Sequence, residues 1–306
     1  MSTDVTTPRI LLVAVLAAAA ITGHAAAFAS TAAAAPRAAK PAKAPKVTGK
    51  YADVNGLRMY YEVHGTGRPL VLLHGAFCTI EGCFGAVLPA LSADRQVIAV
   101  ELQGHGHTAD IDRPLSTAQM ADDTAALLGQ LGIANADVLG YSMGSGVAIQ
   151  LALRHPKVVG KLVLASVATE RAGMHPGVLE MIDTITPEAF EQTPIKAAYV
   201  KAAPRPGDFP RLVEKIKQYN RGFTDIPAKT IRTIQAPTLI IVADGDIMKL
   251  EHAVELLRNL GGGVAGDFGT AARSQLAVVP GANHYGLMAH FPALVPSIKA
   301  FLDAKR

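Results

Sequence analysis

The amino-acid sequence predicts an α/β fold, a mostly parallel central sheet with helices on both faces. Three observations carry that prediction. Short, predominantly apolar runs at 69–73, 96–100, 161–165 and 237–242 read as strands covered on both sides. Segments with helical spacing alternate with these runs, as expected when crossover helices join parallel strands. A further apolar run passes directly through Gly140-Tyr141-Ser142-Met143-Gly144 into a small-residue, helix-compatible segment.

Taken in order, Tyr51–Val54 and Leu57–Val63 flank Asn55-Gly56, the pattern of a β-hairpin. Pro69–Leu73 is a buried strand ending at His74-Gly75-Ala76-Phe77, and a helix is expected over 80–91. Strand 96–100 leads into the tight loop Gln103–Thr108. Residues 117–131 have helical spacing, with Ser116 as N-cap and Gly132 as the stop. After the helix Met143–Arg154 and the strand Lys161–Ala165, the rhythm breaks. From about 168 to 233 there is no apolar strand run, and prolines separate helical pieces at Val178–Ile185 and Leu212–Tyr219. So long an interruption reads as a small helical cap insertion. The rhythm then resumes with strand 237–242, a helix near Glu251–Leu260, strand Gln275–Val279 and a closing helix near Pro292–Leu302.

Half of the 306 residues are apolar, enough for a sizeable core. The formal charge of +4 is misleading about partners. Residues 1–50 hold six basic side chains against Asp4, a net of +5, which leaves residues 51–306 at −1. A nucleic-acid footprint on the folded part is therefore not expected. Arg9, the apolar run Ile10–Ile21 and the Ala27-Phe28-Ala29 site together read as a signal peptide over 1–29, too short to span a bilayer comfortably. An Ala/Pro/Lys-rich linker covers 30–50, and the domain proper covers 51–306. The expected location is secreted or periplasmic, without stable membrane insertion after cleavage; the alternative is an anchor through an uncleaved N-terminus. Cys78 and Cys83 are read as small apolar core residues, because a short loop running into a helix suits disulfide geometry poorly. In an exported protein they could instead pair, closing a very short loop.

The chemistry begins at Ser142. Its flanking glycines allow a strained strand-to-helix corner that holds a hydroxyl above the carboxyl ends of the strands. A serine hydroxyl becomes a useful nucleophile only when a base takes its proton and a third group holds that base. Strand 237–242 ends in Ala243-Asp244-Gly245-Asp246, and strand 275–279 ends in Pro280-Gly281-Ala282-Asn283-His284, so an acid and a base can reach the same sheet edge. His284 is the expected general base, while Asp244 and Asp246 compete as the acid. His74 and His105 are read as structural, and His252 and His290 as belonging to surface helical segments.

From about Tyr51 to its end the chain resembles the α/β-hydrolase superfamily. The motifs are Tyr61-Glu62-Val63-His64-Gly65, Leu72-Leu73-His74-Gly75, Gly104-His105-Gly106, Gly140–Gly144, the Asp244–Asp246 turn and Pro280–His284. The likeness is to the serine esterase, lactonase and cofactor-free perhydrolase group, with Glu101 standing where such proteins often carry Asp. The resemblance implies a catalytic triad of Ser142, Asp246 and His284. It also implies oxyanion donors at Met143 and at Ala76, with Phe77 as second choice. Phe77 and Tyr141 are substrate-pocket candidates, and Met174, Met181, Phe190 and Tyr199 either line the cap side of that pocket or pack the cap onto the core. The implied reaction is hydrolysis of a small-molecule carboxylic ester or lactone through an acyl-enzyme on Ser142. Perhydrolase-like or carbon–carbon bond hydrolase chemistry with the same triad, and a hydrolase-like binding protein, are the alternatives. No cofactor is implied. No metal is expected, since no Cys/His cluster has ligand spacing. The sequence carries no signal for an oligomeric state.

Overall fold

The computed structural model describes residues 49–268 and 272–305. The signal peptide expected at 1–29 and nearly all of the expected linker lie outside the described residues. Asn55 and Gly56 both take left-handed backbone, φ 50° and 80°. They fold β1 (Lys50–Val54) back onto β2 (Leu57–His64) with Val54 opposite Leu57. Lys50, the last residue of the expected linker, opens that first strand.

β3 (Arg68–Leu73), β4 (Arg95–Val100), β5 (Ala136–Tyr141), β6 (Val159–Ala165), β7 (Thr238–Gly245) and β8 (Gln275–Asn283) complete an eight-stranded sheet. Its order is β1-β2-β4-β3-β5-β6-β7-β8. The β1–β2 and β2–β4 pairings are antiparallel and the others parallel. Alternation along β3 sends Val71 and Leu73 into one buried cluster and Leu70 and Leu72 into the other, so the sheet separates two cores.

The helices are α1 (Ile80–Phe84), α2 (Leu88–Leu91), α3 (Thr117–Gln130), α4 (Met143–Arg154), α5 (Val178–Thr184), α6 (Pro194–Ala202), α7 (Phe209–Arg221), α8 (Ala228–Ile231), α9 (Leu250–Asn259) and α10 (Leu287–Asp303). Among the described residues, none is long and apolar enough to cross a membrane. α3, α4 and α9 cover one face through Leu127, Val147 and Leu256; α1, α2 and α10 cover the other through Phe84, Leu91 and Phe291. Ser116 caps α3 as expected, its hydroxyl accepting from Gln119 N–H. Two helix expectations need correction. The single helix over 80–91 is two short pieces, interrupted at Gly85–Val87 ahead of Pro89. The closing helix begins at Leu287 and carries Pro292 and Pro296 inside it, because burial of Leu287 and Phe291 outweighs the local cost of proline.

Three charged residues inside strands, Arg95, Asp137 and Lys161, are buried rather than solvated. Asp137 accepts from Arg68 and Arg95, each at 3.1 Å. Lys161 Nζ donates to the carbonyls of Phe301, Leu302 and Ala304, placing a cation on the C-terminal end of α10.

The segment between β6 and β7 holds α5 to α8 and forms the expected helical cap. α7 buries Phe209, Leu212, Val213 and Ile216, and charge then ties it to the core. Asp110, in the loop after β4, pairs with Arg211 Nε at 2.6 Å and Lys215 Nζ at 2.8 Å. Lys215 also donates to the carbonyls of Ile111 and Arg113.

Candidate active site

The site is built from three loops at the carboxyl ends of β5, β7 and β8, with a fourth after β3. At the end of β5, Ser142 takes φ 53° and ψ −119°, a left-handed conformation that costs a non-glycine residue about 1–3 kcal/mol. Close backbone packing imposes the corner. A Cβ on Gly144 would lie 2.0 Å from the Leu73 carbonyl oxygen, and one on Gly140 would lie 2.4 Å from that of Gly144. Ser142 N–H donates to Ala165 O at 2.8 Å, and the Ser145 hydroxyl donates to Gly140 O and Ala165 O. The strand-to-helix passage read from the sequence is therefore locked to β3 and β6, with the Ser142 side chain half-buried and reachable.

The structure brings Ser142, His284 and Asp246 together. His284 Nε2 lies 3.0 Å from Ser142 Oγ, and His284 Nδ1 lies 2.8 Å from Asp246 Oδ1. A carboxylate accepts only, so Nδ1 carries the proton and Nε2 presents its lone pair to the serine hydroxyl. Of the two competing acids, Asp244 is exposed, whereas Asp246 is buried and makes the histidine contact. Burial alone would raise the Asp246 pKa. The hydrogen bond and charge of His284, the Ser166 hydroxyl and the Met248 N–H outweigh it, holding the carboxyl below its ordinary value. The acid is thus kept ionised beside the imidazole it orients.

Ser166 was not singled out in the sequence, where it is one more small residue after an apolar strand. It is fully buried, takes φ 52°, and donates its hydroxyl to Asp246 Oδ2. Together with Phe77 (φ 60°) and Ser142, it is one of four non-glycine residues with positive φ among those described, and these three carry site loops. That concentration of backbone strain marks a functional edge.

Met143 opens α4, so its N–H belongs to the first turn and has no intrahelical acceptor. The second donor is set by the loop after β3. His74 Nε2 accepts from Leu102 N–H at 3.0 Å, which leaves the proton on Nδ1 to donate to Gly75 O at 2.8 Å. In a planar trans peptide the N–H that follows points opposite to its carbonyl, so fixing Gly75 O also aims the Ala76 amide. The loop lies against the elbow, since a Cβ on Gly75 would sit 3.2 Å from Ser142 Cβ. Burial, with His105 beside it, pushes the His74 pKa down to about 3 and keeps the ring neutral. Glu101 is buried and braces the same region, accepting from Ile80 N–H and from the His107 backbone and ring.

Phe77 and Tyr141 part company. Phe77 packs on Phe190 at 5.0 Å and faces Phe209 at 6.4 Å, forming an aromatic wall between the loop and the cap. Met174, Phe190 and Tyr199 are buried in the cluster on this side, while Met181 is half-buried. Tyr141 belongs to the opposite core. Its hydroxyl donates to the His284 carbonyl at 2.7 Å and its ring meets Phe291 edge-on at 6.0 Å. Tyr141 thus supports the His284 loop from the core opposite to the one that Phe77 packs against.

Two further expectations are corrected. Cys78 and Cys83 form a disulfide, with Cα atoms 6.1 Å apart. The break after Phe84 leaves α1 as a single short turn, so Cys83 can face back toward Cys78. His252 is buried, not on the surface: its Nε2 accepts from Thr169 N–H at 3.0 Å and its ring packs under Gly173 at the start of the cap. Ligand atoms of Glu170, His252 and Glu255 lie within 4.8 Å of one another. The Thr169 contact, however, places the histidine proton on Nδ1, where a metal would need a lone pair.

A serine on a strained elbow above a parallel sheet, with a histidine and a buried carboxylate in line, defines a class: hydrolases with the α/β fold. The chain belongs to the α/β hydrolase fold family, whose model matches residues 68–221. It is 27% identical over 288 residues to 2-hydroxymuconate semialdehyde hydrolase from Pseudomonas sp. (strain CF600), covering 86% of this chain and 98% of that relative. Three further curated relatives are spanned over only 31–55% of their own length. Among solved structures, a serine hydrolase involved in carbazole degradation shares the fold with a TM-score of 0.68 at 21% identity, covering 85% of this chain and all of that one. The enol-lactonase from Burkholderia xenovorans LB400 shares it at 0.63 and 19% identity, over 83% of this chain and all of that one.

Proposed function

We propose that this α/β hydrolase cleaves a small, apolar carboxylic ester or lactone through an acyl-enzyme on Ser142. The observation that carries the reading is the continuous relay from Ser142 Oγ through His284 to Asp246. His284 takes the hydroxyl proton as Ser142 attacks the carbonyl, and the Met143 and Ala76 amides receive the developing oxyanion. His284 returns the proton to the leaving alcohol, then activates water that releases the acid. The Phe77–Phe190 wall supports an uncharged, apolar group on the cap side.

A second reading has its own support. The relative matched over nearly its whole length is named for 2-hydroxymuconate semialdehyde, so carbon–carbon bond hydrolysis with the same residues is the competing chemistry. Turnover of p-nitrophenyl esters of rising acyl length, simple lactones and 2-hydroxymuconate semialdehyde, with Ser142→Ala as control, separates the two. The ester reading predicts the highest kcat/KM on a short ester or lactone. A preference of 100-fold or more for the semialdehyde would replace it. Absence of fluorophosphonate labelling on intact, folded protein would remove the nucleophile assignment altogether.

We also propose export to an oxidising compartment. The leader pattern at 9–29 and the Cys78–Cys83 disulfide both support it. Mass spectrometry of protein recovered outside the cytoplasm is expected to show a start near Ser30; an intact Met1 or Ser2 start would overturn the proposal.

A further inference from the structure

We propose that the Cys78–Cys83 disulfide is a positioning element for the oxyanion loop, so that the turnover of this enzyme depends on whether that bond is intact. The inference rests on the Ser142 reading above and adds a requirement to it.

Cys78 N–H donates to Gly75 O at 3.3 Å, closing a four-residue turn, Gly75–Cys78, whose third residue is Phe77 with φ 60°. Turns with positive φ at that position ordinarily place glycine or asparagine there. A bulky aromatic in the left-handed region relaxes unless its surroundings hold it. One end of the turn is held by His74, which fixes the Gly75 carbonyl. The other end is Cys78, half-buried, and its side chain is bonded to Cys83. Cys83 lies buried on α1, and the core roots that helix firmly. The Thr79 hydroxyl accepts from Gly82 N–H at 3.0 Å, Glu101 accepts from Ile80 N–H at 3.2 Å, and Phe84 is fully buried. The disulfide therefore ties the far end of a strained turn to a fixed helix, and the amide it keeps aimed is Ala76.

The location makes the effect local. The two cysteines are five residues apart, so the bond restrains little of the unfolded chain. What it restrains is the turn that must present a donor to the oxyanion. Reduction by a dithiol would add two electrons and two protons across the S–S bond, giving two thiols while the reductant becomes its cyclic disulfide. Cys78, half-buried where Cys83 is buried, is where exchange would begin.

The test compares native protein with protein treated with dithiothreitol, the open bond being verified by gain of two carbamidomethyl groups on iodoacetamide treatment. Hydrolysis of p-nitrophenyl acetate is expected to lose about tenfold or more in kcat with KM changed less than about threefold, as for an impaired oxyanion donor. Affinity for a boronic acid, which forms a tetrahedral adduct, should weaken in parallel, and reoxidation should restore both. A Cys78→Ala/Cys83→Ala variant should show the low rate with no response to reductant, and it replaces the reduced form if the native bond resists dithiothreitol. Unchanged kcat in fully alkylated or doubly substituted protein overturns the proposal. So does a loss of rate that accompanies loss of near-ultraviolet circular dichroism, which would mean a general structural role. If the oxidised protein is not labelled by fluorophosphonate and Ser142→Ala hydrolyses the ester equally well, the triad reading falls, and this proposal with it. If labelling and Ser142 dependence hold while reduction has no effect, only the disulfide proposal falls.

Discussion

The sheet edge and the cap are held by different physics. At the sheet edge, backbones approach so closely that Gly140 and Gly144 have no room for a Cβ, and Phe77, Ser142 and Ser166 are forced into left-handed conformations. The cap rests on an aromatic cluster of Phe190, Tyr199 and Phe209, with Lys215 and Arg211 reaching Asp110. The first arrangement tolerates almost no displacement, because backbone cannot repack. The second consists of side chains, which can. Chemistry is thereby over-determined in one region, while the other is free to vary in the shape it offers a substrate.

Substitutions can test that contrast. The largest effect is expected at the elbow: Ser142→Ala should lower kcat by about 10⁴-fold or more while leaving the thermal midpoint nearly unchanged. Equal loss of rate and stability would show that the serine is mainly structural. Gly144→Ala puts a methyl group against the Leu73 carbonyl and should destabilise the fold by about 3 kcal/mol or more, read from urea unfolding. A soluble, fully active Gly144→Ala protein would contradict the packing described.

Ser166→Ala should cost about tenfold in kcat, since it loosens the acid that orients His284. It also has a pH signature. The folded pKa of Asp246 is depressed, so its contribution to stability is present above the ordinary carboxylate value and lost as pH falls through the folded pKa. Removing the Ser166 donor should move that loss to higher pH, measurable as thermal midpoint against pH. A curve that superimposes on wild type would exclude Ser166 from holding the acid.

His74 and His105 bear on stability in acid. Their pKa values are pushed down to about 3 and about 4, chiefly by burial. The unfolded chain binds protons near pH 6.5 that the folded chain refuses, so stability present above that value should decline as pH falls toward 3. His105→Gln should flatten the decline between about pH 6.5 and 4; an unaltered slope would show that His105 is not responsible.

The smallest effect belongs to the cap. Phe190→Leu should cost less than about 1.5 kcal/mol. It should shift KM across the acyl-length series by a few fold with kcat on the best ester nearly constant. A large fall in kcat would mean that the cap reaches the reacting atoms.

Much of this was legible along the chain, and the reasons are physical. Central parallel strands are covered on both faces, so Leu70–Leu73 and Leu162–Ala165 announce themselves as unbroken apolar runs. Asn55-Gly56 and the Ser116 cap are local chemistry, read within a few residues. The elbow is local too, because its glycines answer to the strand and helix that adjoin them. By itself, then, the sequence determined the order of elements, the place of Ser142, and the two strand ends from which an acid and a base could reach it.

Tertiary structure decided whatever depends on partners distant in the chain. It selected Asp246 over Asp244 by burying one carboxylate and exposing the other, and it supplied Ser166 from the end of β6, eighty residues earlier. It tied Tyr141 to the His284 carbonyl, buried His252 beneath the cap, and paired two cysteines that sequence spacing disfavoured. A residue's type and neighbours set what its side chain can do. Which face it meets, and whether water reaches it, follow only once the sheet has closed and both cores have formed.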